Sequence, residues 1–597
     1  MTRDIDKLIG QMTIEEKALL TTGATMWSTN PVDRLDIPAV TVTDGPAGAR
    51  GPITPGIGTQ VATLCIPCGS ALGATFDVLL LEELGVALGH QTRSKGARVL
   101  LAPTVNLHRS PLFGRAFECY SEDPLLSGKL GASFIRGAQS QGIATTVKHF
   151  VGNDAEFERM TINSVIDQRT LREVYLLPFE LAVREGGSLG IMTSYNRMNG
   201  VYCAENSELL QDILRDEWGF EGFVVTDWFA GFTTEGAAHA GLDLEMPAPP
   251  RGYGKFLAEA VKEGRVDEAD LDRAVRTLLS TFDRLGALDD EPQAPMAIDL
   301  PEHRQLARRA AVSSMVLLRN EKVNDQALLP LNTNGLKSGA VNGPNAERTR
   351  IMGGGSAEVM PHHRTAIIDV LRERLGAKVA VRHEAGGNID KTTPTVDPLL
   401  VKRPDGAPGF EVVVFDGDAS NNTELTRVHR PDGRIVLVAR SDAGVPTSSY
   451  HFNATGIITV ETSGQYVVSL VEVSPCRLLL DGELVVDGAS SIPPRGQSFF
   501  GMGSIEITAI VDLVAGQQHE LVLQCDATNK QWAHGAQVGL QFIEQDDPVR
   551  RAVELAAECD IALVVVGTTD DWESEGHDRD TLDLPGRQVE LIRAVAA

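Results

Sequence analysis

From the start of the chain to about residue 285, short apolar runs alternate with longer amphipathic stretches, the rhythm of repeated β/α units. Each run stops at a polar residue. PAVTVTD closes on Asp44, VLLAPTVN on Asn106, ATTVKH on Lys148 and His149, GIMTSY on Tyr195, GFVVTD on Asp227 and GLDLEM near Glu245. Helix candidates lie between them, among them 168–184 and 206–216. Parallel strands closing into a barrel would gather these polar ends on one face, where barrel enzymes build their active sites. A doubly wound open sheet would also place them together.

The pattern then changes twice. The proline-containing acidic stretch ALDDEPQAPMAIDLPEH reads as a linker over 287–303. Helix-like HRQLARRAAVSSMVLLRNE follows, then LLPLN, SGAVNGPNA, the glycine-rich IMGGGSAEVMP, and a further helix and strand in AIIDVLRERLGAKVAVRH. The glycines match neither GxxxxGK[ST] nor GxGxxG, so they predict turns and close backbone approach rather than a phosphate loop. Over 396–545 helical periodicity vanishes, and strand-like alternation with turn residues predicts a β-sandwich. Residues 546–597 return to helix, strand, loop and helix. The β module therefore reads as an insertion into an α/β domain. The chain stops in its last helix without the further strands such a sheet ordinarily has, which predicts a truncated domain or one completed by a partner.

Composition narrows the functional classes. The 597 residues are 42% hydrophobic and 23% charged, an ordinary mix for several folded domains. A net charge of −27 opposes binding to nucleic acid or an anionic membrane, and a neutral small-molecule substrate fits better. The opening MTRDIDKLIGQMTIEEK lacks a signal peptide's apolar core, no run of about 18 apolar residues follows, and a cytoplasmic location is expected. Seven cysteines, an odd number, do not form a secreted disulfide framework. Cys65 and Cys68 make a lone CxxC without the further ligands zinc requires, so buried thiols are the plainer reading.

Asp227 ends the apolar run GFVVT and precedes Trp228, which presents an acid beside a flat apolar platform. By itself, an Asp after a strand is more often a helix cap or turn residue. Its company changes that weighting. VTDGPAGAR, GRAFECYSEDP, KHFVGNDAEFER, TSYN and VVTDW stand in the order and spacing of glycoside hydrolase family 3, retaining exo-acting β-glycosidases, and the chain resembles that family over essentially its whole length. The resemblance implies an α/β multidomain fold: a (β/α)8 TIM-like barrel over 1–286, and an α/β sandwich over 304–395 and 546–597, truncated at its end. A protective-antigen-type β-sandwich insert occupies 396–545, best matched by SGQYVVSL and CRLLLDGELVVDG.

Retaining cleavage needs one carboxylate to attack the anomeric carbon and a second carboxyl to protonate the leaving oxygen and then activate water. The resemblance makes Asp227 the nucleophile and Trp228 its aromatic neighbour. It makes Asp44 a hydroxyl-binding acid, Arg50 and Arg115 sugar-binding or site-organising arginines, and Lys148 and His149 a pair on the same ring. Arg159 would support the nucleophile region and Tyr195 would lie close to it. Each has a structural alternative: Arg115 and Glu118 could simply pair, and His149 could be a satisfied core histidine. WESEGHDRDTLDLPG resembles the family's acid loop, which selects Glu575 before Gly576, with Glu573 as the neighbouring alternative. The acidic cluster Asp570, Asp571, Glu573, Glu575 and Asp578 could be a solvated loop, or could raise the acid's pKa by like charge. VGNDAEFER after the KHF triplet argues against the members that act on N-acetylglucosaminides.

The function implied is an exo-β-glucosidase acting on small β-glucosides or oligosaccharides, with no metal or organic cofactor. A β-xylosidase or mixed β-glycosidase is the near alternative, and a non-catalytic carbohydrate-binding protein is the alternative of another class. A homo-oligomer is left open.

Overall fold

The computed structural model describes residues 3–51, 61–289, 293–323, 325–438, 444–446, 449–528 and 533–597. In the first part, β1 (Val42–Asp44), β2 (Val99–Leu101), β3 (Ala144–Phe150), β4 (Gly190–Thr193) and β5 (Phe223–Thr226) form one parallel sheet in sequence order. All five strands are buried throughout, which is why they read as continuous apolar runs and not as alternations. The helices between them pack outside. Val78–Ser94 and Pro124–Gln139 start on Asp77 and Asp123, each accepting two backbone N–H bonds in its helix's first turn. The candidates 168–184 and 206–216 are helical over Gln168–Thr170, Leu171–Tyr175 and Leu177–Arg184, and over Glu208–Glu217.

The eight strands expected of a full barrel are not all present as strands among the described residues. Beyond β5 the pairing continues through single bridges, Val225 to Leu244, Glu245 to Thr22, Gly23 to Thr29 and Ser28 to Thr41. These segments are too short and irregular for ladders. Glu245, predicted as a sixth strand end, spends its carboxylate on its own loop, accepting from the N–H groups of Arg251, Gly252 and Tyr253.

Residues 290–292 of the expected linker lie outside the described residues. The described part runs along the helix Val78–Ser94, where Ser94 and Lys95 hold Met296 and Gln91 donates to the Ile298 carbonyl. The next helix, Pro301–Ser313, begins inside the stretch read as linker, because Pro301 occupies a first-turn position that needs no N–H. It also ends earlier than HRQLARRAAVSSMVLLRNE suggested. The Ser314 hydroxyl turns back to the Ala311 carbonyl, and Met315–Leu318 continue as exposed chain.

A second parallel sheet has the order β7 (Ala380–Glu384), β6 (Ser338–Asn342), β8 (Ile561–Val564). The pairing of β6 with β8, from Gly339↔Ile561 to Asn342↔Val564, joins segments on either side of an all-β region. That region consists of two antiparallel sheets. One includes Phe410–Asp416, Tyr450–Thr459, Gln518–Ala527 and Cys476–Leu480; the other is formed by Arg434–Val438, Ala533–Phe542, Gly464–Glu472 and Ile507–Leu513. Phe410, Phe452, Val468, Leu523 and Val538 fill the space between them, each burial worth ~1.5–3 kcal/mol before entropy is counted. Parts of the region, 439–443, 447–448 and 529–532, lie outside the described residues. Among the described residues no helix is long and apolar enough to cross a membrane.

Candidate active site

The ends of β1, β3, β4 and β5 open on a cavity of about 550 Å³. Asp44, Lys148, His149, Tyr195, Asp227 and Trp228 line it from these ends, with Arg50 and Arg159 from the loops. The other walls come from elsewhere in the chain: Ser356, Glu575 and Gly576 from the α/β part, Val438 and Met502 from the all-β part. Consecutive strand residues ordinarily face opposite sides. Lys148 and His149 both face the cavity because the β3–β4 register breaks between Val147 and Phe150, a local irregularity that re-aims side chains.

Asp227 follows β5 and is 7% exposed. Its Oδ1 is anchored by the Trp228 N–H at 2.7 Å. Its Oδ2 is buried without a hydrogen-bond partner, 3.6 Å from His149 Nε2. Burial pushes its pKa up to about 6, Arg115 opposing and Glu575 reinforcing the rise. Asn106, after β2, does not line the cavity but holds His149. Its Nδ2 donates to the His149 carbonyl at 2.9 Å, so its Oδ1, 2.7 Å from His149 N and 3.1 Å from Nδ1, accepts from both. That contact places the ring proton on Nδ1. Burial, then Arg115 and Lys148, hold the imidazole pKa well below its ordinary value, so the ring is neutral and Nε2 faces the cavity as an acceptor.

Asp44 accepts from Lys148 Nζ at 2.9 Å and from the Gly45 N–H at 2.8 Å. The Arg50 guanidinium lies 4.3 Å above the Trp27 ring and donates to the Ser356 carbonyl. Trp27 and Trp228 face each other at 5.3 Å between centroids, and the Trp228 indole N–H is fixed on the Met26 carbonyl. Two tryptophans and a set of charged groups held by one another form a rigid polar pocket with apolar sides.

Glu575 enters from a loop of the α/β part and is 6% exposed. Arg159 Nη1 donates to Oε1 at 2.7 Å, Arg115 Nη1 lies 3.4 Å from the same oxygen, and the Ser356 N–H donates to Oε2 at 2.8 Å. Arg115 also bonds Glu118 at 2.5 Å, so the expected structural pair exists and serves the site at the same time. Arg159 bonds Glu575 and Glu156 and lies 4.6 Å over the Tyr195 ring, which puts it on the Glu575 side of the cavity. Glu573 does not line the cavity and pairs with Arg579 at 3.0 Å.

The acidic cluster neither floats in solvent nor raises Glu575. Asp570 pairs with Arg350, and Asp578 accepts the N–H groups of Gly114 and Glu156, so the sequence neighbours are engaged elsewhere. Burial pushes the Glu575 carboxyl up, but Arg115, Arg159 and Ser356 outweigh it and hold the pKa well below the usual range. Beside Glu575, burial lifts Glu156 to about 7 against the pull of Arg159 and Arg115. Glu156 shares Arg159 Nη1 with Glu575, at 2.8 and 2.7 Å. Sequence reasoning missed Glu156, Ser356, Trp27 and Met502. Only Glu156 had a local sign, standing three residues before Arg159.

Four buried carboxyls, Asp44, Glu156, Asp227 and Glu575, line one cavity among cations and tryptophan walls, and carboxyls so placed define the class of a glycoside hydrolase. Residues 7–281 match the glycosyl hydrolase family 3 N-terminal domain and residues 315–597 the glycosyl hydrolase family 3 C-terminal domain. The chain belongs to glycosyl hydrolase family 3. It is 40% identical over 598 residues to a beta-glucosidase of Rhizobium radiobacter, covering 99% of this chain and 71% of that protein. A probable beta-glucosidase I of Aspergillus oryzae is 37% identical over 606 residues, with 99% and 71% covered. The crystal structure of the Kluyveromyces marxianus beta-glucosidase in complex with glucose superposes with a TM-score of 0.90 at 32% identity, over 99% of this chain and 72% of that one.

Proposed function

We propose that the protein is a β-glucosidase that releases terminal non-reducing β-D-glucosyl residues by double displacement. The observation that carries this reading is Asp227: one oxygen anchored, the other buried, without a partner and facing a cavity that Glu575 shares. Oδ2 attacks the anomeric carbon, the glycosidic bond breaks, and Glu575 gives a proton to the leaving oxygen. Glu575 then takes a proton from water as the water attacks the glycosyl–Asp227 ester. Asp44, Lys148 and Arg50 bind hydroxyls of the ring, and neutral His149 accepts from one through Nε2. Trp228 supports the ring's apolar face. Arg115, Arg159 and the Ser356 N–H hold Glu575 as a carboxylate, the form needed in the second half. For the first half Glu575 must first take up a proton from solvent, against the pull of Arg115 and Arg159.

The same reading takes residues 1–286 as a TIM-like barrel with some strands reduced to single bridges. It takes 304–395 with 546–597 as the α/β sandwich and 396–545 as a protective-antigen-type insert, supported by the β6–β8 pairing across the insert. The test is Asp227→Ala assayed on an aryl β-glucoside. Turnover is expected to fall about a thousandfold or more with the melting temperature maintained. A 2-fluoro-glucoside inactivator is expected to label Asp227 in the unaltered enzyme. Activity within a fewfold of the parent sinks the nucleophile assignment.

A further inference from the structure

The nucleophile and the acid belong to different parts of the chain, and a seam five residues long joins them. Asp578, three residues beyond Glu575, does not line the cavity. Its carboxylate instead accepts three backbone N–H groups of the barrel loops. Gly114 donates to Oδ1, Phe157 to Oδ2, and Glu156 to both oxygens, all at 3.0 Å. In return the Gly576 N–H donates to Glu156 Oε2 at 2.8 Å, and the Arg579 N–H donates to the Leu112 carbonyl at 2.8 Å. Glu156 therefore gives its N–H to residue 578 and takes one from residue 576. This is the reciprocal logic of a capping box, applied between two domains. Nothing stands between the two backbones, for a Cβ on Gly114 would fall 1.8 Å from the His577 carbonyl oxygen and 2.5 Å from that of Ser574.

We propose that Asp578 is the positioning residue for the acid, fixing Glu575 against the barrel so that its carboxyl meets the glycosidic oxygen of a ring held over Asp227. This rests on reading Glu575 as the acid/base. The ion pair of Arg159 with Glu575 cannot do this work alone, because it grips the carboxyl that changes protonation during the reaction. The backbone N–H groups that Asp578 holds do not titrate. A carboxylate is also required by the donor set: an amide offers one acceptor oxygen and turns an NH₂ group towards N–H donors that then lack a partner.

The test uses leaving groups, since a dinitrophenolate departs without protonation and an unsubstituted phenol does not. In Asp578→Asn, kcat/KM for phenyl β-glucoside is expected to fall about a hundredfold, the cost of misplacing a reacting group by about 1 Å, while that for dinitrophenyl β-glucoside changes less than about fivefold. Azide is expected to raise kcat on the dinitrophenyl substrate, and Asp578→Glu to recover part of the loss. Glu575→Ala is run beside it. If Glu575→Ala shows no such split, the acid assignment fails and takes this proposal with it. If it shows the split and Asp578→Asn loses both substrates equally, or neither, Asp578 has no positioning role and the proposal alone is overturned. Should Asp578→Asn not fold, Gly114→Ala presses on the same seam without a change of charge. It must give the same split, and an equal loss on both substrates overturns the proposal.

Discussion

Burial raises the Asp227, Glu156 and Glu575 carboxyls alike, and only at Glu575 do the neighbouring donors reverse it. Asp227 is lifted from 3.8 to about 6. Attack requires the carboxylate, so kcat/KM on an aryl glucoside is expected to decline below about pH 6. A profile flat to pH 4 would mean that another group attacks. The same shift bears on stability. A folded pKa above the unfolded one favours the protonated native state, so this contribution is present below the ordinary Asp pKa and lost as pH rises through about 6. Above that, the native state carries a cost of ~3 kcal/mol from this group. Asp227→Asn, which never ionises, is therefore expected to melt higher than the parent at pH 8, with the gap closing towards pH 4. Equal melting temperatures at both pH values would refute the burial argument. Glu156, lifted to about 7, stands beside Glu575 on Arg159, and its ionisation should shape the basic limb of kcat/KM. In Glu156→Gln the remaining carboxyl is the one held low, so that limb should move to lower pH. An unmoved limb would assign it to a different group.

Strands and loops divide the labour, and they differ in how far the sequence reveals them. The strand ends were legible because a parallel sheet buried on both faces reads as apolar runs, and Asp44, Lys148, His149, Tyr195 and Asp227 each close or follow one. The same rule overreached at Glu245, whose strand is a single bridge and whose carboxylate caps its own loop. The second wall was legible only in part. Glu575 could be picked out by its place before Gly576, but no spacing brings Ser356 or Met502 to the cavity, since those depend on how whole domains dock. The raised pKa expected of the acid was wrong for the same reason: Arg115 and Arg159 are more than 400 residues away in sequence and next to it in space. The glycine-rich segment was read as close backbone approach, and Gly355 shows what it approaches. At φ +109°, a Cβ there would lie 2.4 Å from Glu575 Cβ. Gly355→Ala is expected to cost ~1–3 kcal/mol in backbone strain and to displace Glu575. Lowered melting temperature together with a larger loss on phenyl than on dinitrophenyl glucoside would show both effects; an unchanged protein would show that the loop yields freely.

The molecule as a whole is organised around a cavity that no single part encloses. The N-terminal part supplies Asp44, Lys148, His149 and Asp227, the α/β part supplies Ser356 and Glu575, and the all-β part closes one side with Val438 and Met502. A ligand that fills the cavity would meet groups from more than one part of the chain, so its binding energy would be shared between them. Any ligand that binds the native state alone stabilises it, by ~2.7 kcal/mol at a hundred times its Kd. If the cavity forms only when the parts are docked, glucose must stabilise them jointly. In scanning calorimetry, saturating glucose is expected to move every resolved unfolding transition of the N-terminal and α/β parts upward together. Asp578→Asn, which cuts the seam between them, should weaken that coupling and leave the α/β transition behind. Movement of the N-terminal transition alone in the unaltered protein would mean that this part binds sugar without its neighbour, and that Glu575 is not held over the ring in solution.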